Sequence, residues 1–285
     1  MPLPFNTKKR HDARSMDTQR VKKAILENVA ASTARLTPRQ LEQTISTTYG
    51  LDKSRTRALL KDLVAESELE YTYEFGSTFM VLSFNKPVRI SDYVVIQPPG
   101  HRFKPAPDDV VIRIQPGAAF GGGRHPTTRL SVRAVEYVLK KVRPSWLSAD
   151  CSVLDIGTGS GILAIVAICL GIKKGLGLDI DPCAIAEAGQ NRDLNRLQDR
   201  LAIADRKIET IDASYSLVVA NLRYPSLKQL YPQMIRLTDG SGWLVLSGFR
   251  VNEMRDLEAV YTGRHFESLW AADEQDWAAV ALRKI

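Results

Sequence analysis

The sequence predicts an α/β protein, a mostly parallel sheet with helices on both faces, preceded by a small α+β unit. Three observations carry this. After Thr127, short apolar runs alternate with helical stretches, the order from which parallel sheets are built. One such run, "SVLDIGTGSGIL", passes from strand to helix through three glycines. Ahead of these runs, residues 18–85 hold three helical patterns followed by two short strands. A chain of 285 residues with 44% hydrophobic composition can bury a core in each of two such units.

Taken in order, the first residues, "MPLPFNTKKRHDARS", are basic and lack the apolar core of a signal peptide, so residues 1–17 read as a basic disordered tail. From Thr18, "TQRVKKAILENVAAS" places Val21, Ala24, Ile25 and Val29 at helical spacing. A second helix is expected at "LTPRQLEQTIS", where Thr37 can cap and Pro38 suits the first helical position. After a turn at Gly50, a third helix sets Leu59, Leu60, Leu63 and Val64 on one face. "LEYTYEF" and "TFMVLSF" then pair through "GS". Three helices and a hairpin make a winged-helix-like domain over residues 18–85. The exposed face of its third helix, with Ser54, Arg57 and Lys61, can bind nucleic acid. Asp62 on that face and the near-balanced charge suit protein docking or a structural role better.

Residues 86–126 read as a structured connector, with strands in "PVRISDYVVIQPPG" and "DDVVIRIQPG" and a glycine-rich loop, "FGGGRHPTT". The main domain follows over residues 127–285. Its expected elements are a helix at "TTRLSVRAVEYVLKKVR", a strand at "SVLDIG", a helix at "SGILAIVAICLG", a strand at "GLGLDID" and a helix at "PCAIAEAGQNRDLNRL". After "RLAIAD" come the strand "SLVVANL", one helix at "SLKQLYPQMIRL" and the strand "GWLVLSGF". "FESLWAADEQDWAAVALRK" closes the sheet as an antiparallel pair.

The net charge of +7 is spread among mixed signs and is only weak support for an acidic or nucleic-acid partner. Cys151, Cys169 and Cys183 show no CxxC spacing, so they read as reduced residues of a cytoplasmic protein without a metal site. The longest apolar run, "GILAIVAICLGI", falls short of the roughly 20 residues that cross a bilayer, so no membrane partner is expected.

The chemistry concentrates at strand ends. Gly157, Gly159 and Gly161 let the backbone turn sharply and approach a ligand before a helix whose first N–H groups are free. The spacing is GxGxG, with Ile162 where a dinucleotide site would have its third glycine. With Asp155 ahead of it, the turn resembles motif I of class I methyltransferases, which bind S-adenosyl-L-methionine. Asp179, ending the next strand, can accept hydrogen bonds from both hydroxyls of a ribose. Asp181 precedes Pro182 and reads equally as a helix cap or a ligand contact. Asn221 ends the fourth strand, where ligands of open α/β sheets sit, and can accept hydrogen bonds from an amine. His125 can act as a base, although a hydrogen bond holding the glycine loop is the better reading.

"AFGGGRHPTT", "VLDIGTGSGILAI", "GLDIDP", "VVANL" and "LVLSGF" together resemble the PrmA family, bacterial enzymes that methylate a protein of the large ribosomal subunit. The likeness runs from about Pro87 to the C-terminus, roughly seventy per cent of the chain. It implies a Rossmann-like class I methyltransferase domain with a mostly parallel seven-stranded sheet. It implies that Thr128, Gly157, Asp179 and Asn221 lie at the S-adenosyl-L-methionine site, with Gly159 and Gly161 completing the glycine turn and Asn221 as the catalytic residue. The expected acceptor is a protein amine, of a lysine or an N-terminus, in a partner that includes ribosomal protein. Two other readings stand beside it: a nucleic-acid methyltransferase using the winged helix, and a non-catalytic regulator that senses S-adenosyl-L-methionine. The chain departs from the family at three places. Gly122 replaces a threonine, Arg223 and Tyr224 replace small apolar residues after Asn221, and the family's N-terminal domain is ferredoxin-like.

Overall fold

The computed structural model describes residues 7–32, 35–74, 76–101, 103–142, 144, 147 and 150–285. The chain divides into two compact units, Met1–Lys86 and Pro87–Ile285.

The first unit holds α1 (Thr7–Ala31), α2 (Pro38–Tyr49), α3 (Lys53–Ala65), β1 (Leu69–Glu74) and β2 (Ser77–Leu82). Helical backbone begins at Thr7, earlier than the Thr18 start read from periodicity, and so takes in residues 7–17 of the segment read as a tail. "KKRHDAR" has no apolar stripe for periodicity to find, yet its residues are compatible with a helix. Residues 1–6 of that segment lie outside the described residues. The start of α2 is fixed by a capping box: Gln40 N donates to Thr37 Oγ1 at 3.3 Å and Thr37 N to Gln40 Oε1 at 2.9 Å. Gly50 ends the helix at φ 61°. Asp52 caps α3 through Arg55 N at 2.8 Å. Val21, Ile25, Leu41, Ile45, Leu60, Leu63, Leu69 and Met80 close a common core, and Lys22 Nζ bridges to Glu66 at 2.5 Å.

The second unit opens with a small sheet of β3 (Val88–Arg89), β4 (Val94–Gln97) and β5 (Val110–Arg113), in which β4 pairs antiparallel with β3 and parallel with β5. The strands of the segment read as a connector thus form their own sheet within this unit. It continues with α4 (Pro126–Glu136), β6 (Ser152–Ile156), α5 (Ile162–Cys169), β7 (Lys174–Leu178), α6 (Pro182–Leu194), β8 (Leu201–Ala204) and β9 (Tyr215–Asn221). After these come α7 (Tyr224–Gln229), α8 (Tyr231–Leu237), β10 (Thr238–Arg250), α9 (Val251–Tyr261), β11 (Phe266–Glu274) and β12 (Trp277–Lys284). A π-helical turn, Tyr137–Val142, extends α4.

Seven strands form one sheet in the order β11-β12-β10-β9-β6-β7-β8. All pairings are parallel except those of β12, which runs against both β10 and β11. This is the mostly parallel sheet that the alternating pattern predicts, in the seven-stranded Rossmann-like form that the family resemblance implies. Strand β9, "YSLVVAN", is buried along all but its last residue, as a strand covered on both faces must be. Chain order reverses between β6 and β9, so a crevice is expected at their carboxyl ends.

Two elements differ from the sequence reading. "SLKQLYPQMIRL" is two helices meeting at Leu230, because Pro232 brings no N–H and fits only a first turn. Helix α9, carrying Leu257 and Tyr261 into the core, is absent from the sequence reading.

Gly248 sits at a bulge in β10 at φ 96°, and a Cβ there would stand 2.2 Å from the Leu222 carbonyl oxygen. Gly248→Ala is expected to cost about 2 to 4 kcal/mol through backbone strain and overpacking. Urea unfolding measures this, and a loss below about 0.5 kcal/mol would contradict the close approach.

Candidate functional site

The turn after β6 stands where the switch in strand order places a crevice. Gly157, Gly159 and Gly161 have φ of 72°, 53° and 82°, left-handed values that any side chain would strain. Gly157 N and Thr158 N both donate to Leu178 O, at 2.9 and 2.8 Å, tying the turn to the end of β7. Space is as short as conformation: a Cβ on Gly157 would stand 2.5 Å from Leu222 Cδ2, and one on Gly159 2.3 Å from Phe120 O. Asp155 buttresses the turn from beneath, its Oδ2 accepting from Thr158 Oγ1 at 2.8 Å and Ala164 N at 3.2 Å. Asp155 is fully buried, and desolvation pushes its carboxyl up to about 7 against those two hydrogen bonds, with the Asp179 charge adding to the rise.

Asp179 stands directly after β7. Its Oδ2 accepts from Gly159 N at 2.8 Å and its Oδ1 from Ile180 N at 2.8 Å and Asp181 N at 3.1 Å. Three backbone donors fix the carboxylate beside the glycine turn, and a carboxylate's roughly four acceptor sites leave capacity for a ligand hydroxyl. Asp181 caps α6 through Cys183 N at 2.9 Å. Between the two acids, Ile180 is 89% exposed. The sequence reading does not single it out; a large apolar residue set between two acids directly after a strand is the signal that could have.

The loop "FGGGRHPTT" lies against this turn. Phe120 O accepts from Ser160 N at 2.8 Å, and Glu187 Oε1 and Oε2 accept from Ala118 N and Ala119 N at 2.8 and 2.9 Å. Asn191 ties the same region together, donating to Ser160 O and accepting from Gln115 N, each at 2.8 Å. His125 caps α4, its Nδ1 lying 3.3 Å from Thr127 N and 2.8 Å from Thr127 Oγ1. Its ring packs against Phe120 and Trp277, with centroids 5.1 and 4.9 Å away. The Arg250 guanidinium covers Trp277 at 3.8 Å. Thr128 is fully buried, and among the described residues neither its Oγ1 nor the Ser160 Oγ has a hydrogen-bond partner. Buried hydroxyls left unpaired cost about 1 to 3 kcal/mol each, so two beside one loop suit a polar ligand.

Asn221 ends β9 opposite Ser247, whose Oγ reaches Thr127 O at 3.3 Å, so the strand end, α4 and the loop converge. Asn221 is half-buried, and no described residue hydrogen bonds its side-chain amide. Leu222, which follows it, is the residue packed on Gly157. Arg223 is exposed, and the Tyr224 hydroxyl donates to Asp256 on α9. Among the described residues no group of three or more His, Cys, Asp or Glu could hold a metal ion, and no helix is long and apolar enough to cross a membrane. A groove of about 780 Å³ opens at the other, amino-terminal end of the strands, between Ser152, Lys174, Leu201 and Tyr215, and shares no residue with the glycine turn.

The chain matches the family model for ribosomal protein L11 methyltransferase (PrmA) over residues 77–285. A ribosomal protein L11 methyltransferase of Pelobacter propionicus is 35% identical over 199 residues, 70% of this chain and 63% of the relative. One from Brevibacillus brevis is 30% identical over 247 residues, 86% of this chain and 73% of the relative. The crystal structure of a ribosomal protein L11 methylase from Lactobacillus delbrueckii subsp. bulgaricus is 29% identical with a TM-score of 0.61, covering 70% of this chain and 98% of that one. The chain spans about 63% of the length of the P. propionicus relative that it matches.

Asp155 gives a pH signature of the site. Its folded value, about 7, lies above the ordinary 3.8, so the folded state holds the proton more tightly than the unfolded chain. Its contribution to stability therefore falls as pH rises from about 4 to about 7 and is flat above. Asp155→Asn, which cannot ionise, is expected to gain in melting temperature relative to wild type between pH 5 and 7 and no further by pH 8. A constant difference across that range would refute the raised value.

Proposed function

Because the chain belongs to the ribosomal protein L11 methyltransferase (PrmA) family, we propose that its second unit binds S-adenosyl-L-methionine and methylates an amine of a protein, with ribosomal protein as the expected acceptor. The observation that supports this most is the Asp179 carboxylate, fixed by three backbone N–H groups beside a left-handed glycine turn. In this reading Asp179 holds the ribose hydroxyls, Gly157, Gly159 and Gly161 admit the cofactor close to the backbone, and exposed Ile180 packs on the adenine ring. The buried hydroxyl of Thr128, without a partner among the described residues, is assigned to the opposite wall of that site.

Bound S-adenosyl-L-methionine supplies a methyl group on a sulfonium, a leaving group that needs no protonation. The protein's work is then alignment, a proximity effect that can supply much of the acceleration. A lysine acceptor has an ordinary pKa near 10.4 and must lose its proton before attack. Asn221, with its amide unengaged at the end of β9, accepts an N–H from the neutral amine and turns its lone pair toward the methyl carbon. His125 is engaged as the cap of α4, which fits a structural role better than that of a base.

We assign the first unit to holding the acceptor, in the cytoplasm. Tyr71 and Tyr73 are 53% and 74% exposed on its hairpin, while Arg57 on α3 is paired with Glu42 at 2.6 Å. The exposed tyrosines favour a second acceptor class, nucleic acid held by base stacking on a winged helix.

Incubation with radiolabelled S-adenosyl-L-methionine and lysate should place label in protease-sensitive material. Nuclease-sensitive label would select the second class, and absence of label despite cofactor binding would select a sensor over an enzyme. Asn221→Ala should lower turnover about a hundredfold with cofactor affinity nearly unchanged, the pattern of an interaction made in the transition state. Asp179→Ala should weaken cofactor binding at least about tenfold by calorimetry, as expected for lost charge-assisted hydrogen bonds; equal affinity would remove the ribose assignment.

A further inference from the structure

We propose that Arg129, oriented by Glu274, is the residue that positions the 121–124 loop over the cofactor, an inference that rests on the cofactor reading above. The start of the loop is fixed by the Phe120 O to Ser160 N hydrogen bond and by Glu187. Its middle has no side chains to hold it, since Gly121 and Gly122 offer only backbone, and a Cβ at Gly122 would meet nothing within 4 Å. At its far end Arg129 holds two successive carbonyls. Arg129 Nη1 donates to Gly123 O at 3.3 Å and also to Arg124 O.

The rest of the same guanidinium faces β11. Arg129 Nε donates to Glu274 Oε1 at 2.7 Å, Nη2 donates to that same oxygen, and Arg133 Nη2 donates to Oε2. A guanidinium is rigid and planar, so locking one edge on a carboxylate fixes the direction of the other edge. Glu274 thereby determines where Arg129 aims, and Arg129 determines where Gly123 and Arg124 lie. The brace is largely shielded, with 18% of the Arg129 side chain and 23% of that of Glu274 exposed, so water screens it less than a surface pair. Arg129 also follows Thr128 on the first turn of α4. One helical turn therefore sets both the loop and the buried hydroxyl beside it.

The test uses the full chain carrying Arg129→Met or Glu274→Gln, with three measurements: S-adenosyl-L-methionine affinity, steady-state kcat and KM, and the rate of tryptic cleavage after Arg124 without cofactor. Arg129→Met should weaken affinity about tenfold, as for one lost charge-assisted hydrogen bond. Saturating kcat should stay within about twofold, because the change acts on cofactor binding and not on the acceptor. Cleavage after Arg124 should quicken several-fold, by about the factor in which the open loop is populated. Glu274→Gln should move all three in the same direction, and the double variant should be little worse than Arg129→Met, since both act through one brace. Adding Gly122→Thr to Arg129→Met should restore part of the affinity, because a side chain in that open position narrows the freedom of the loop.

Unchanged affinity and cleavage in Arg129→Met, or a fall in kcat at unchanged affinity, would overturn the proposal. If Arg129→Met does not fold, the same criteria apply to Glu274→Gln. A wild-type chain that binds no S-adenosyl-L-methionine would overturn the cofactor reading, while the tryptic rates would still decide whether the brace holds the loop.

Discussion

The left-handed turn after β6 is the constraint from which the second unit is arranged. Three of its five residues occupy φ values that cost a non-glycine residue roughly 1 kcal/mol or more each. In exchange, two successive N–H groups reach one carbonyl, Leu178 O, and a third reaches Asp179. The ends of β6 and β7 are thereby locked together, and the Phe120 carbonyl can come within reach of Ser160 N. A Cβ at Gly159 would push that carbonyl away, so the second wall of the crevice depends on the same absence of a side chain as the first.

This dependence explains how much was legible in the sequence. The glycine turn and the strand-end positions of Asp179 and Asn221 are legible in local order, because a strand end followed by a turn reads the same whatever surrounds it. The cap at Thr37 and the break at Gly50 are local too, and both are where short-range chemistry puts them. What escaped is long-range. Asn195 completes the edge of β5 by accepting from Arg113 N and donating to Arg113 O, at 2.9 and 2.7 Å, an imitation of a strand across 82 positions. Arg129 and Glu274 are 145 positions apart. Such pairs are made by the closing of the sheet, and no window of sequence contains them. Helix α9 is not legible for another reason: only Leu257 and Tyr261 are fully committed to the core, too few for a clear period.

The departures from the family pattern fall into different physical categories. Gly122 borders open space, so the missing threonine leaves no hole behind it and removes only conformational restriction. Tyr224 gains a partner: its hydroxyl and Lys228 both meet Asp256, which ties α7 to α9. Arg223 is the one of the three whose side chain is exposed next to the end of β9.

Asp155 and Asp179 lie at the ends of neighbouring strands, yet their surroundings give them opposite tasks. Asp155 is wholly buried, supports Thr158 and Ala164 from within, and has its carboxyl pushed up to about 7 by desolvation. Its remaining oxygen has no partner among the described residues and no access to the crevice floor, which the turn itself covers. Asp179 is half-buried, and its donors are the backbone N–H groups of the turn and of the residues that follow it. Holding a carboxylate by backbone donors alone fixes its direction without neutralising it through an opposing cation. The acid that can receive a ligand is therefore the one that the turn orients, and the acid that shapes the turn is sealed beneath it.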